Sequence, residues 1–308
     1  ILREGGTILG SARCLEFHEQ QTRDRARANL RARGIDALIV IGGNGSLTGA
    51  LALSDRSECG DWVPRVIGIP ASIDNDLAIT SMSIGVDTAM NTIVEACDKI
   101  ADTASAHDRT FLVEVMGRDC GYLSMTAAVA SGADMVLFPE AKRTEDQLVD
   151  DVVNAVAAVR ERPQRSNRVI AIKAEGVDIP CERLKERVDA ELARRGVGSK
   201  HPVETRVTVL GHVVRGGRPS AFDRLLGSRL GNVAVQALVD GQTRKMAAWL
   251  PPTVPPESVA IRSTADPYCF LAELSAVLAA TAELLEGQSP LARWRASVFD
   301  ELSSVFLL

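Results

Sequence analysis

The sequence has no CxxC pair and no cluster of His, Cys and acidic residues at metal-ligand spacing, so nothing in it reads as a zinc site or a redox dithiol. It has no apolar run long enough to span a membrane. It has no excess of positive charge: 35 Lys and Arg stand against 40 Asp and Glu, for a net charge of −5. That balance argues against a general affinity for nucleic acid or an anionic membrane. Any anionic ligand must therefore be held by local basic residues against the overall sign. Internal repeats and low-complexity tracts are also absent. The six cysteines (Cys14, Cys59, Cys97, Cys120, Cys181 and Cys269) are scattered, several in apolar or helical stretches. They read as buried reduced thiols, which points to a cytoplasmic protein. No signal peptide is present and the chain does not open with Met; Ile1 falls mid-pattern, so the expectation is that an N-terminal portion, with any targeting segment, is missing.

What is there is ordinary globular composition: 308 residues, 46% hydrophobic and 24% charged, enough for a large layered core or two modest domains. Short β-rich runs alternate with longer helical patterns. Ala37–Ile41, Val66–Ile69, Phe111–Val115, Met135–Phe138, Val169–Ala174 and Val207–Leu210 read as buried strands. Gln20–Arg33, Thr88–Thr103, Gly121–Ala130, Glu145–Arg160 and Glu182–Arg195 read as helices. This alternation predicts an α/β protein with mostly parallel, doubly wound sheets covered by helices on both faces. In such sheets ligands bind beyond the carboxyl ends of the strands, which makes the loops there the candidate sites. Asp55–Pro64 reads as a polar surface loop and Pro251–Pro256, with four prolines, as a stiff connector. Phe270–Leu285 reads as an amphipathic helix and Pro290–Leu308 as another helical segment.

Five loops carry residues suited to phosphate chemistry. Gly42-Gly43-Asn44-Gly45-Ser46 follows a strand and precedes a helix, where backbone N–H groups and the helix end favour an anion; it reads equally as a tight turn, and no Walker-type Lys follows. Pro70–Asp76 places Asp74 and Asp76 two residues apart at a strand end, suited to a cation or a proton, or to a helix cap with a solvated acid. Val115–Gly121 sets Arg118 beside glycines, poised for a phosphate or simply lying on a capped turn. Leu210–Gly217 carries His212 and Arg215, preceded by Arg206, a set that suits a phosphate monoester. Lys173–Gly176 brings Glu175 to a strand end, where it faces sugar hydroxyls or solvent.

Together the segments GGTILGSAR, GGNGSLTGA, IPASIDND, SIGVDTA, VEVMGRDCGYL, GADMVLFPE and ETRVTVLGHVVRGGRPSAFDR resemble the 6-phosphofructokinases, in the family's order, from about Gly5 to Lys245. The resemblance implies two Rossmann-like lobes forming a cleft. It implies residues 1–85 as the remainder of a nucleotide-binding lobe, 86–245 as a sugar-phosphate lobe and 246–308 as a C-terminal helical segment packed back on them. It implies ATP-dependent phosphorylation of fructose 6-phosphate with Mg²⁺. Asp74 matches the catalytic base, with Asp76 beside it; Arg118 matches the residue that stabilises the transferring phosphoryl, and Ser72 a hydroxyl near that group. Met116, Gly117 and Glu175 match sugar contacts, and His212 and Arg215 ligands of the 6-phosphate. Arg109 and Arg206 match arginines that reach that phosphate from a neighbouring subunit, which implies a homodimer or homotetramer. Arg13, Gly43, Gly45, Ser46 and Gly49 match the nucleotide side.

Gly45 and Ala71 stand where the pyrophosphate-dependent branch carries Asp and Lys, which favours ATP as donor. Asn44 stands where many members carry a magnesium-linked Asp, which leaves Asp74 and Asp76 as the charged candidates for the metal. Ala101 stands where regulated bacterial members carry an effector-binding Arg, against control by ADP or phosphoenolpyruvate. The family's first strand and GGxxPG loop have no counterpart here, so residues 1–308 alone are expected to fold poorly or turn over slowly. The competing readings are a pyrophosphate-dependent enzyme and a non-catalytic sugar-phosphate-binding paralogue.

Overall fold

The computed structural model describes residues 1–59, 62–161, 167–198, 203–251, 261–262, 266, 268–294 and 297. In chain order its helices are α1 (Gln20–Ala32), α2 (Asn44–Leu53), α3 (Arg56–Cys59), α4 (Val86–His107), α5 (Tyr122–Ser131), α6 (Glu145–Glu161), α7 (Cys181–Arg194), α8 (Ala221–Val239) and α9 (Leu274–Leu285). The strands are β1 (Ala37–Gly42), β2 (Arg65–Pro70), β3 (Thr110–Val115), β4 (Met135–Leu137), β5 (Val169–Ala174), β6 (Thr205–Val209), β7 (Lys245–Trp249), β8 (Ile261–Arg262) and β9 (Cys269–Glu273). Among the described residues no helix is long and apolar enough to cross a membrane.

The chain divides into two compact units, Ile1–Asp87 with Arg218–Glu286 and Thr88–Gly217 with Gly287–Leu308. Position 245/246 falls inside the first unit, because α8 and β7 return to it. Strand β7 lies parallel to β2 and antiparallel to β9, which ties 218–286 to the N-terminal stretch by hydrogen bonds.

In the first unit the sheet order is β1-β2-β7-β9-β8. The first three strands are parallel, and β9 runs antiparallel to both of its neighbours, β7 and β8. Ile67 and Ile69 of β2 pack under Leu226, Leu230 and Val233 of α8. On the other side Leu47 and Ala50 of α2 pack with Met246, Leu274 and Val277. Gly68 in the middle of β2 permits this, since a Cβ there would sit 2.7 Å from Leu47 Cδ2. Two arginines of α1 are buried because Glu58 answers both, at 2.6 Å from Arg23 and 3.0 Å from Arg27.

In the second unit the order is β4-β5-β3-β6, all parallel. Leu148, Val152 and Val156 of α6 and Leu184 and Val188 of α7 cover Leu112 and Ala171. Lys173 is a charge inside this sheet, 1% exposed, and Glu114 on the adjacent strand answers it at 3.0 Å.

Two local expectations change. The helix expected over Phe270–Leu285 begins only at Leu274, because Cys269–Glu273 is the antiparallel strand β9. A short apolar run buried on all sides carries no period that separates strand from helix. The loop expected over Asp55–Pro64 contains the single turn α3. Helix α8 and strand β7 had no separate expectation: Gly227 and Gly231 weaken the helical signal, and the Met-Ala-Ala centre of β7 lacks β-branched residues. Pro252–Pro256 of the expected connector lie outside the described residues, as do 295–296 and 298–308 of the expected C-terminal helix.

Candidate active site

In the first unit β1 and β2 run in parallel register, with Gly42 opposite Pro70, so both loops leave the sheet at the same end. The Ala71 N–H donates to the Gly42 carbonyl at 3.0 Å, which carries the pairing one residue past the strands. A Cβ on Gly43 would lie 3.5 Å from the Ser72 Cβ, so the two loops touch. Gly43 caps α2 with no side-chain acceptor, which leaves the first amides of that helix to a ligand or water. Gly45 and Ser46 are exposed on its first turn, and a Cβ on Gly45 would meet nothing within 4 Å. Asn44 opens the helix, and its carbonyl accepts from the Thr48 hydroxyl at 2.9 Å. Gly49 lies under Phe17, whose ring would be 3.4 Å from a Cβ there. Arg13 is exposed in the coil before the 3-10 turn Leu15–His18.

In the second loop the Ser72 hydroxyl donates to Asp76 Oδ1 at 2.6 Å. Asp76 thus holds Ser72 in place. Asp74 is half-buried, with its Oδ1 shut off from solvent. Between the two acids stands Asn75, buried and left-handed at φ 50°. Ser72, Asp74, Asp76 and the Gly43–Ser46 turn are therefore brought to one edge of one sheet.

In the second unit the strand ends again share one edge. Met116 and Gly117 are buried and Arg118 is exposed beyond β3. The Glu175 N–H donates to the Val115 carbonyl at 2.8 Å and the Gly176 N–H to the Gly117 carbonyl at 3.1 Å, binding the Arg118 loop to the end of β5. Gly117 sits at φ 125°, where a Cβ would come within 2.5 Å of the Cys120 carbonyl, so only glycine fits. The far end of the loop is fixed by Glu140, whose carboxylate accepts from the Gly121 N–H at 2.9 and 3.0 Å. His212 and Arg215 are exposed on the 3-10 turn Gly211–Arg215, and the Arg215 Nε–H points at Met116 Sδ, 3.2 Å away.

Arg109 and Arg206 stand at the opposite end of the β3–β6 pair, gripped by one carboxylate. Glu204 accepts from Arg109 Nε on Oε2 and from Arg206 Nη2 on Oε1. The hydrogen bond from Arg109 leads in holding the Glu204 carboxyl below its usual range, and the charges of both arginines add to it. The result is a basic pair, with Arg206 half exposed at 51%, able to receive an anion. Two positioning groups were not singled out from sequence: Glu204, which stood only within the ETR string, and Asn75, whose partners lie six to eight residues on.

Among the described residues no group of three or more His, Cys, Asp or Glu is arranged to hold a metal ion. The carboxylates of the Ser72–Asp76 loop are hard oxygen donors, fewer than a protein-only cage needs. That donor set fits a Mg²⁺ ion carried by nucleotide phosphates, which takes only one or two carboxylates from the protein.

A family model described as phosphofructokinase matches residues 1–238. The ATP-dependent 6-phosphofructokinase 1 of Clostridium perfringens is 41% identical over 246 residues, covering 80% of this chain and 70% of the relative. The ATP-dependent 6-phosphofructokinase of Staphylococcus carnosus is 45% identical over 242 residues, covering 79% and 69%. The structure of phosphofructokinase from Saccharomyces cerevisiae superposes with a TM-score of 0.79 at 30% identity, across 99% of this chain and 42% of that one. With the loops in family order at the strand ends of both units, the chain belongs to the phosphofructokinase family.

Proposed function

We propose that this protein transfers the terminal phosphoryl group of ATP to the 1-hydroxyl of fructose 6-phosphate, giving ADP and fructose 1,6-bisphosphate. Asp74 takes the hydroxyl proton, the freed oxygen bonds to the γ-phosphorus, and the bond to the β-γ bridging oxygen breaks with ADP departing. Arg118 offsets the charge of the transferring group. Ser72, held by Asp76, stands beside the base. His212, Arg215, Arg109 and Arg206 take the 6-phosphate, the last two from a neighbouring subunit of a homodimer or homotetramer. Met116, Gly117 and Glu175 contact the sugar. Arg13, Gly43, Gly45, Ser46 and Gly49 receive the nucleotide. Asp74, Asp76 and the side-chain amide oxygen of Asn44 would be the groups to hold a nucleotide-borne Mg²⁺, which would supply charge neutralisation.

The observation that carries this reading is the joined pair of loops in the first unit. An uncapped helix start lies against a Ser-Ile-Asp-Asn-Asp segment whose hydroxyl is fixed by its own second acid. The donor follows from Gly45, where the space that a side chain would fill is open for the α-phosphate of ATP. The buried thiols Cys97, Cys181 and Cys269, pushed up to about 11, 12 and 12 by burial, suit a reducing cytoplasm. A coupled assay on the full-length protein tests the reading. Turnover with ATP that exceeds turnover with pyrophosphate supports it. Faster turnover with pyrophosphate gives the donor to the other branch, and sugar-phosphate binding without turnover makes the protein a binding paralogue.

A further inference from the structure

We infer that Asn75 is the positioning residue of the candidate base, acting through a clasp of its carboxamide on the segment Ser81–Ser83; this rests on the reading of Asp74 given above. Asn75 is 0% exposed and stands between the two acids of the loop. Its Nδ2–H donates to the Ser81 carbonyl at 3.0 Å, and its Oδ1 accepts from the Ser83 N–H at 3.0 Å. Both ends of one amide are thus spent on one short segment, an arrangement that a carboxylate or an alcohol cannot reproduce. Its backbone is at φ 50°, a region that Asn visits more readily than most residues, and its own N–H donates to the Ser72 carbonyl at 3.2 Å. The direction in which Asp74 leaves the loop is therefore set by the residue that follows it.

The clasped segment is itself anchored to the sheet. The Ser81 N–H donates to the Trp249 carbonyl at 2.9 Å, and the Trp249 N–H donates to the Thr80 hydroxyl at 3.2 Å, at the end of β7. The Ile84 N–H returns to the Pro70 carbonyl at 3.0 Å, and the Ala78 N–H reaches the Thr281 hydroxyl of α9 at 3.0 Å. A path of hydrogen bonds therefore runs from the end of β7 through Ser81 to Asn75, the residue bonded to Asp74. Every link is neutral.

Steady-state kinetics of two variants of the full-length protein test this. Asn75→Gly keeps the left-handed backbone and removes the clasp; Asn75→Asp keeps the shape, repels the Ser81 carbonyl and adds a charge beside Asp74. For Asn75→Gly, kcat is expected to fall about 10- to 100-fold with both KM values held within about twofold, as for a displaced reacting group. For Asn75→Asp, kcat is expected to fall at least as far with both KM values again held, because a carboxylate repels the Ser81 carbonyl and cannot donate to it. Unchanged kcat in both variants overturns the inference. So does a loss of kcat that comes with both KM values raised, or failure of both variants to fold, since each assigns Asn75 to stability alone. Asp74→Asn separates the two readings. If it still turns over, the reading of Asp74 falls; if it is dead while the Asn75 variants run at wild-type rate, only the clasp falls.

Discussion

The two units place their chemistry by opposite means. In the first, the acid-bearing loop is pinned by neutral groups: a hydroxyl on Asp76, a carboxamide on Ser81 and Ser83, main-chain amides on Pro70 and Trp249. In the second, charges are placed by charges: Glu204 grips Arg109 and Arg206, and Glu114 answers Lys173 inside the sheet. The difference follows from the tasks proposed. A base must be aimed at one hydroxyl, and neutral hydrogen bonds orient its loop without adding a charge of their own. Arginines that receive phosphate cannot titrate, so a carboxylate can orient them without cancelling their charge in use.

The charge-on-charge arrangement of the second unit is most vulnerable at Lys173. Lys173→Met leaves the Glu114 carboxylate, 21% exposed, without its cation. Removing one partner of a buried pair costs about 3 kcal/mol, and urea unfolding should show it. The double variant with Glu114→Gln is expected to recover most of that loss; a double variant no better than the single would show that the pair is not coupled.

Next in size is Glu204→Gln. An amide grips two guanidinium groups less firmly, so on the proposed function the KM for the sugar phosphate rises about 10-fold, roughly the worth of one charged hydrogen bond. The KM for ATP stays put. An equal rise in both constants would mean that Glu204 serves the fold and not the arginines.

A smaller effect sharpens the first unit. Ile79 has a β-branched side chain in the left-handed region, φ 65°, four residues beyond Asn75 in the same loop. That conformation costs an L-residue about 1–2 kcal/mol. Ile79→Gly should therefore be more stable than Ile79→Ala by about 1 kcal/mol, the reverse of the usual order within regular structure. Thermal unfolding of the two variants checks this; Ala equal to Gly would remove the strain.

The smallest effect concerns the charges between α6 and α7. Glu191 is held down to about 2 from 4.5, first by its hydrogen bond from Arg194 and then by that from Arg195, which also reaches Asp150 and Asn154 of α6. Its folded value is depressed, so its contribution is present above 4.5 and is lost as the pH falls towards 2. The stability difference between wild type and Glu191→Gln should be flat near neutrality, shrink below 4.5 and weaken with salt. A difference that grows on acidification would contradict the sign.

Much of this was legible in the sequence, for a physical reason. Val66–Ile69 and Val169–Ala174 are runs buried on both faces, and Asp74, Asp76 and Glu175 follow them as acids that an apolar core would not hold unpaired. The strand β9 was not legible, since Cys-Phe-Leu-Ala buried on all sides has the same appearance in either conformation. The return of the chain to the first unit was not legible either, because it rests on β2 pairing with β7 some 180 residues later. Asn75 stood in plain view between two acids, yet its role depends on which carbonyl and which amide face it, and that only a folded loop provides.

The most direct test is the turnover number of Asp74→Ala beside its affinity for fructose 6-phosphate. A kcat lower by about 10²- to 10⁴-fold with sugar-phosphate binding intact is the predicted result. Turnover at the wild-type rate would contradict the assignment of Asp74 as the base.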